Sequence, residues 1–271
     1  MFYEIKIIEY HYTKNLKKLL MIRLWFIITF SIFSNTIFAT TWDEPWQDKV
    51  IKEADFFVLA KIVSFDRYKS VTIEIVKSLA GNKIEGTIEI TNFYLLSLCS
   101  GGRAKDFYFD GISECYFFLK KNDKGEYCIS TPSSGVDYII DGKVVTSYRH
   151  SYHRLYAPIE VYENTMTAIF NNYHNKSYDK RYIKKFVSKY ISLKPSGYDS
   201  TEINTFYAQH IALECIYHLR LPNYYSKIIP FIEDTSNLDH QVSAARALIA
   251  YNTKESKKQL LKLIGDNTNS C

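Results

Sequence analysis

The sequence predicts an α+β fold in which a small antiparallel β-barrel is followed by a region of α-helical repeats. Three observations predict it. Apolar residues alternate with polar ones from Ala54 to about Tyr148, they recur at helical spacing after Tyr156, and the segment Gln209–Ile232 is matched by Gln241–Ile264. The composition is that of a globular protein, because 46% of the 271 residues are hydrophobic and 23% are charged.

The first 39 residues are predicted to be an export signal. Basic residues precede an apolar run, 24–33, and small side chains lead to Ala39, after which we place cleavage. A membrane-spanning helix needs about 20 apolar residues, so this run is short for a lasting anchor, although an uncleaved anchor is the alternative. Translation can start at Met1 or at Met21. The mature protein is therefore expected in a periplasm or outside the cell, with no membrane span.

The charge and the motifs exclude several functional classes. The formal net charge is +5, but residues 1–39 hold five bases against two acids, so the predicted mature chain is only weakly basic. This charge does not indicate a nucleic-acid partner. No Gly-x-Ser-x-Gly, phosphate-binding Gly-Lys-Ser/Thr or His-Glu-x-x-His motif is present, so the commonest signals of hydrolases, nucleotide sites and zinc proteases are missing. No cofactor is expected.

The five cysteines gain importance in an exported chain, because such a chain can keep disulfides. Cys99 and Cys128 lie beside turn-rich segments and are the predicted pair. Closing this loop stabilises the fold by roughly 3 to 4 kcal/mol where geometry permits. Cys115 and Cys215 lie among apolar residues and are predicted to be buried thiols. Because the sequence has no Cys-x-x-Cys motif, it does not predict a common zinc-ribbon site or a thioredoxin-type redox site.

The strands of the first half are predicted from two kinds of pattern. In 71–75 and 87–91, apolar and polar side chains alternate, which predicts strands with one buried face. The segments 56–63 and 115–119 are apolar on both faces, which predicts central strands. The dipeptide Asp141-Gly142 between apolar pairs predicts a two-residue hairpin turn. Five or six strands in this span predict a small barrel.

The period becomes helical after Tyr156, with Pro158 predicted as the first helical residue. A break follows at 195–197. Two apolar stripes mark the first two helices: Tyr162, Met166, Ile169, Phe170 and Tyr173, then Tyr182, Phe186 and Tyr190. The second stripe is interleaved with bases, which predict either a solvated helical face or a surface for an anionic partner: Lys180, Arg181, Lys184, Lys185 and Lys189.

The first half resembles the netrin or metalloproteinase-inhibitor-like (NTR) version of the OB barrel. The likeness is carried by Ala54–Val63, Val76–Gly81, Gly111 and Tyr116–Leu119, with Cys99 and Cys128 flanking the last strand. The resemblance implies an OB-like barrel. In the eukaryotic inhibitors of this family an N-terminal cysteine chelates the protease zinc, whereas this mature chain is predicted to begin near Thr40. We therefore do not expect this chain to inhibit metalloproteinases in the way that these family members do.

The second half is similar to HEAT-type repeats. The likeness is carried by Ile228–Ile232, an acidic turn and Val242–Leu248, within the two segments that match at an offset of 32 residues. Small residues such as Ala244 allow paired helices to approach closely, and Asp239 is expected to cap the second helix. The resemblance implies a scaffold that binds along an extended face.

The residues single out one candidate site, at the predicted boundary between a barrel domain, 40–156, and a helical domain, 157–271. His150 and His153 are spaced to share a metal ion, but two flanking arginines disfavour a cation, and a polar connector is the main interpretation. With Glu160 they also form the site of an alternative hydrolase hypothesis.

The function predicted from these patterns is that of an exported, non-enzymatic module that binds another protein or an envelope component. Two alternatives stay open. One is a hydrolase at the barrel-helix junction, and the other is an atypical protease inhibitor that uses barrel loops.

Overall fold

A computed structural model of the chain describes residues 45–66, 70–91, 113–130 and 134–268. The strands are β1 (Phe56–Asp66), β2 (Ser70–Gly81), β3 (Thr87–Thr91), β4 (Glu114–Lys121), β5 (Tyr127–Ile129), β6 (Val136–Ile140), β7 (Lys143–Thr146) and β8 (Leu155–Pro158). The helices are α1 (Gln47–Glu53), α2 (Ile159–Tyr173), α3 (Lys180–Ile191), α4 (Ile203–Leu219), α5 (Tyr225–Glu233), α6 (Leu238–Ile249) and α7 (Lys254–Thr268). The predicted export signal, 1–39, lies outside the described residues.

Five strands close into the predicted small barrel. They pair in the order β1-β2-β3-β5-β4, and β4 pairs again with β1 to complete the circle. The pairs are antiparallel except for β3 and β5, which run parallel at Ile90 and Tyr127. From β4 the sheet continues outward through β6, β7 and β8. The α+β class and the barrel are therefore confirmed.

The start of β1, Phe56–Ala60, and most of β4 are buried on both faces, as their apolar sequences predict, whereas Val63 within the predicted segment 56–63 is 57% exposed. Val58 and Phe117 point into the barrel interior, where they pack with residues of β2, β3 and β5. Phe57 and Phe118 point the other way and stack on each other with ring centroids 4.7 Å apart. This second face belongs to a core that also contains side chains of α1 and of helices α2 to α6. The helices therefore pack on the outer face of the barrel strands β1 and β4.

The hairpin predicted at Asp141-Gly142 is present and joins β6 to β7. Ile140 pairs with Lys143, which leaves a two-residue turn. The φ angles of Asp141 and Gly142 are 51° and 72°, so both turn residues have the positive φ that Asp-Gly sequences favour.

The predicted cysteine environments are confirmed for the two buried thiols. Cys115 and Cys215 are free and fully buried, and burial raises the pKa of each thiol well above its usual range. Cys128 is free and half-buried on β5. Its predicted partner Cys99 lies outside the described residues, so the disulfide stays a prediction.

The first predicted apolar stripe lies on the buried side of α2, whereas in α3 only Phe186 of the predicted stripe is buried and Tyr182 and Tyr190 are half-buried. Tyr162, Met166 and Phe170 of α2 are fully buried. Pro158 is the N-cap residue of α2, so the helix begins at Ile159, one position later than predicted. Along the described part of the chain, no helix is both long enough and apolar enough to cross a membrane.

The two matching segments fall on equivalent helices, namely the pairs α4-α5 and α6-α7. Ala212 and Ala244, which occupy equivalent positions, are both fully buried. One expectation is wrong in detail. The side chain of Asn237, not that of Asp239, caps α6 by accepting a hydrogen bond from the His240 N–H. Asp239 lies in the first turn, where it has a different partner.

Candidate functional site at the barrel-helix junction

The candidate site is built around the connector 147–154 between β7 and β8. Two hydrogen bonds of the Ser147 hydroxyl hold its first turn, because this group donates to the His150 carbonyl and accepts from the Arg149 N–H. The Arg149 carbonyl accepts a hydrogen bond from the Gln47 N–H at 2.6 Å, which ties the connector to the start of α1. The connector is therefore an ordered segment at the junction.

His150 is packed between aromatic rings. Its ring meets Trp46 edge-on, with centroids 5.5 Å apart, and stacks on Tyr152 at 4.7 Å. Its Nδ1 accepts a hydrogen bond from the Tyr152 N–H. Trp46, His150 and Tyr152 form what we call the first aromatic cluster, in which the tyrosine side chain is 80% exposed.

His153, the second predicted candidate, faces a carboxylate rather than the ring of His150. Its Nδ1 lies 3.5 Å from Oδ1 of Asp239 in α6. Burial lowers the pKa of His153, and the positive charge of Arg149 lowers it further. Throughout the described ranges, no group of three histidine, cysteine, aspartate or glutamate side chains is arranged to hold a metal ion.

Arg149 and Asp239 form an ion pair between the connector and α6. The Arg149 side chain is fully buried, and its Nη2 donates to Asp239 Oδ1 at 2.5 Å. Its Nη1 donates to the Asp239 carbonyl at 3.2 Å. Burial lowers the pKa of Arg149, and the charges of Glu214 and Asp239 oppose that shift. The ion pair therefore links the buried Arg149 guanidinium to the Asp239 carboxylate, which is half-exposed at the surface.

A second ion pair lies deeper, between α4 and α6. Glu214 is fully buried, and its Oε2 accepts a hydrogen bond from Arg246 Nε at 3.0 Å. The Arg246 guanidinium lies 4.0 Å from the ring centroid of Tyr217 and 4.9 Å from that of Trp46, so it also makes two cation–π contacts.

His218 connects this region to the barrel side of the junction. Its Nε2 lies 2.6 Å from the Tyr148 carbonyl and therefore carries the proton that it donates. Nδ1 is then the acceptor for the Tyr173 hydroxyl at 2.8 Å. Burial lowers the pKa of His218, which agrees with this neutral form. With both ring nitrogens occupied, His218 acts as a structural cross-link.

Four buried polar atoms near these pairs have no hydrogen-bond partner among the described residues. They are Gln47 Nε2, Arg149 Nε, Glu214 Oε1 and Arg246 Nη2. Three are donors and one is an acceptor, and buried groups of this kind are commonly satisfied by water.

A cleft of about 360 Å³ opens beside His218. The cleft lies where α2, α4 and α6 end, close to the last turn of α1. The C-termini of these helices carry partial negative charges, and the basic side chains of Lys52 and Arg220 lie beside them. The lining of the cleft includes Lys52, Asn172, Tyr173, Tyr217, Arg220 and Ala250. These groups can hydrogen-bond a ligand, but among them no side chain is set up as a nucleophile beside a free imidazole nitrogen.

A second aromatic cluster is formed by tyrosines of α4, β8 and the α3-α4 loop. Burial raises the pKa of Tyr207, and the cluster is near enough to Asp239 for its charge to raise this pKa further. Tyr207 of α4 contacts Tyr156 of β8 and Tyr198 of the α3-α4 loop, with ring centroids about 6 Å apart. The hydroxyls of Tyr198 and Tyr207 lie 3.2 Å apart, so the two rings hold each other in place. Tyr198 is 66% exposed. Each of the two clusters thus presents an exposed tyrosine to solvent.

Glu160 does not join the two histidines. It lies in the exposed first turn of α2, and the described residues place no hydrogen bond or ion pair between its carboxylate and His150 or His153. The one element that the sequence associated correctly with the junction is the connector itself. Its histidines lie there together with charged residues from α4 and α6.

The sequence analysis predicted neither ion pair, although the pair of Glu214 and Arg246 has a signal in the sequence. Glu214 and Arg246 are separated by 32 residues, the offset of the repeat, so opposite charges occupy equivalent positions of neighbouring units. The detectable feature is a single charged residue within the apolar stretch of each helix, Glu214 in α4 and Arg246 in α6. The burial of Arg149 has no comparable local signal, because it depends on α1 and α6 covering the connector.

Asp137 of β6 supplies a buried carboxyl near the same junction. Its Oδ2 accepts hydrogen bonds from the Tyr162 hydroxyl at 2.6 Å and from the Thr146 hydroxyl at 2.8 Å. Burial raises the pKa of Asp137 to about 6, and these two hydrogen bonds oppose the shift.

The raised pKa of Asp137 predicts that part of the stability is lost as the pH rises. Because the folded state holds this proton more tightly than the unfolded state, the contribution is complete below about pH 4 and is lost as the pH passes 6. The loss is on the order of 3 kcal/mol. In Asp137→Asn this loss is expected to disappear, as measured by urea unfolding at a series of pH values.

The control for this experiment is Asp141→Asn, at an exposed position in the hairpin turn that asparagine also accommodates. It is expected to follow the wild-type pH dependence. An Asp137→Asn curve that parallels the wild type between pH 4 and 7 would contradict the assignment.

Comparisons of the chain with models of protein families, with curated proteins and with solved structures find no match.

Proposed function

We propose that this chain is an exported, non-enzymatic interaction module that binds another protein through the two aromatic clusters at the barrel-helix junction. The observation that carries the proposal is that each cluster holds an exposed tyrosine in place, Tyr152 by stacking and Tyr198 by a hydroxyl contact.

The chemistry of these side chains suits protein recognition. Tyrosine and tryptophan are enriched in binding sites because each presents a large rigid surface with a polar tip and loses little conformational entropy on binding. Here Tyr152 is stacked on His150, and Tyr198 is hydrogen-bonded to Tyr207. The clusters are therefore pre-organised, and pre-organisation lowers the free-energy cost of association.

The family assignments belong to the same proposal. The closed strand order β1-β2-β3-β5-β4 supports an OB-like barrel, a fold that commonly binds its ligands through a strand face and loops. The two successive helix pairs support HEAT-like repeats, which serve as scaffolds for partners.

The geometry favours binding over the hydrolase alternative. The His150 ring is enclosed by Trp46 and Tyr152, and the Nδ1 of His153 faces Asp239. Among the described residues, no serine, threonine or cysteine side chain is hydrogen-bonded to the ring of His153, whereas nucleophilic catalysis needs such a pair. An inhibitor that uses barrel loops is the remaining alternative and predicts stoichiometric inhibition of an exported protease.

The proposal is tested by photo-crosslinking in cells of the natural host. Tyr152 and Tyr198 are replaced one at a time by p-benzoylphenylalanine, and the envelope fraction is irradiated. A discrete crosslinked species is expected from both positions. In addition, Tyr152→Ser and Tyr198→Ser are expected to weaken capture of that species at least about tenfold, since exposed aromatic anchors often contribute 2 kcal/mol or more.

The matched control is Leu261 in α7, an apolar side chain that is 68% exposed and belongs to neither cluster. The photoreactive group at this position is expected to give no such species. Equal crosslinking from all three positions, or none from Tyr152 and Tyr198, would remove the proposed surface.

A further inference from the structure

The positive charge of the chain is concentrated in one short segment, residues 176–194. Seven lysines and arginines occur there with a single acid, Asp179, so the segment has a formal charge of +6. The whole chain carries only +5. All other residues together are therefore slightly acidic, and the molecule has a strong charge asymmetry.

The bases of this segment are exposed. In the described parts of the chain, no ion pair involves any base of α3. Asp179 is occupied as the N-cap, where its Oδ1 accepts hydrogen bonds from the N–H groups of Arg181 and Tyr182. The basic face of α3 consists of Lys180, Arg181, Lys184, Lys185 and Lys189, all exposed.

The opposite side of α3 fixes the direction of this basic face. Ile183, Phe186 and Val187 are buried in the core against α4. The Ser188 hydroxyl lies 2.9 Å from the Tyr224 hydroxyl, which joins the helix to the start of α5. With 12 residues, α3 is about 18 Å long. The result is a band of cations that covers the exposed half of a helix held in place by the core.

Apolar groups accompany the cations at the end of the helix. Leu193 is 46% exposed just after α3. Near the end of the helix, the Lys189 ammonium lies 4.8 Å from the centroid of the Tyr190 ring. An exposed leucine next to a row of lysines suits a bilayer surface, where an apolar side chain enters the headgroup region and the lysines contact anionic headgroups. This combination favours a lipid surface over a nucleic acid.

We propose that the basic face of α3 binds the surface of an anionic phospholipid membrane, with Leu193 entering the headgroup region. The contact is peripheral and parallel to the membrane. It goes beyond the proposed protein contact, since it uses neither aromatic cluster, and it holds the module at the envelope while the junction is free for a partner.

The strength of such a contact follows from the number of cations. Each lysine or arginine near an anionic surface strengthens binding about fivefold, and the attraction falls off within a Debye length. Removing three charges from the basic face is therefore expected to weaken binding on the order of 100-fold.

The test measures the partition of the purified protein onto vesicles by flotation. Vesicles contain phosphatidylcholine with about 30 mol% phosphatidylglycerol, or phosphatidylcholine alone, in about 0.1 M salt. Binding is expected to the anionic vesicles only. The variant K184Q/K185Q/K189Q is expected to lose on the order of 100-fold in partition coefficient, with an unchanged circular dichroism spectrum.

The matched control is K254Q/K257Q/K258Q, which removes three exposed charges from α7. It is expected to retain binding within about threefold. Equal losses in both variants would show an effect of net charge alone and overturn the assignment to α3. Equal binding to both kinds of vesicle, or tighter binding to a single-stranded oligonucleotide at the same salt, would overturn the anionic lipid surface. Tyr152→Ser should bind these vesicles normally, which separates this result from the protein contact.

Discussion

Replacing Gly81 with alanine is expected to lower the free energy of unfolding by at least about 3 kcal/mol. Gly81 ends β2 with φ +88°, and a Cβ at this position would lie 2.1 Å from the carbonyl oxygen of Asp55. That oxygen accepts a hydrogen bond from the Asn82 N–H at 3.0 Å, while the Asp55 N–H donates to the Leu119 carbonyl. The methyl group therefore requires backbone movement where β1, β2 and β4 meet.

Gly86→Ala is the matched control for this prediction. Gly86 has a similar φ of +80°, but a Cβ there meets no atom within 4 Å. Its cost is limited to the positive φ, about 1 to 2 kcal/mol. Chemical unfolding measures the loss in the free energy of unfolding for both variants. The difference between the two losses is the cost of the contact with Asp55, since both positions have a positive φ. Equal destabilisation would show that the contact with Asp55 relaxes freely.

The barrel could be predicted because its signals are local. A strand that is apolar on both faces is expected to be covered on both, and this holds for 115–119 in β4 and for the start of 56–63 in β1, whereas β1 is largely exposed after Ala60. The Asp141-Gly142 turn is equally local, since it depends on the conformational preferences of two residues. These patterns do not reveal which strands become neighbours. The parallel contact of β3 with β5 and the extension through β6 to β8 depend on distant parts of the chain.

The site could be predicted only in part. The connector with His150 and His153 stands out in sequence because it separates two hydrophobic periods. Its most buried charge, Arg149, looks like a solvent-exposed residue, because arginine is rarely fully buried. Its partner Asp239 looks like a helix cap, since acids are favoured there. Only the packing of α6 on the connector makes an ion pair of the two residues.

Replacing Arg246 with methionine is expected to destabilise the fold by about 3 to 5 kcal/mol. The substitution preserves most of the side-chain volume but leaves the fully buried carboxylate of Glu214 without its guanidinium partner. It also removes the cation–π contacts with Trp46 and Tyr217. The change in the free energy of unfolding is measured by urea denaturation, and Arg181→Met, at an exposed position of α3, is expected to change it by less than about 0.5 kcal/mol.

The double variant E214Q/R246M distinguishes an uncompensated charge from lost packing. If the cost of Arg246→Met comes from the buried Glu214 carboxylate, removing that charge as well is expected to restore most of the stability, because a neutral side chain costs far less to bury. If the cost comes from the contacts with Trp46 and Tyr217, the double variant stays as unstable as the single one. A restored double variant also predicts that the ion pair between the equivalent positions of α4 and α6 sets how these helices align, since opposite charges can meet in only one register. Charge reversal, E214R/R246E, then recovers more stability than either reversal alone.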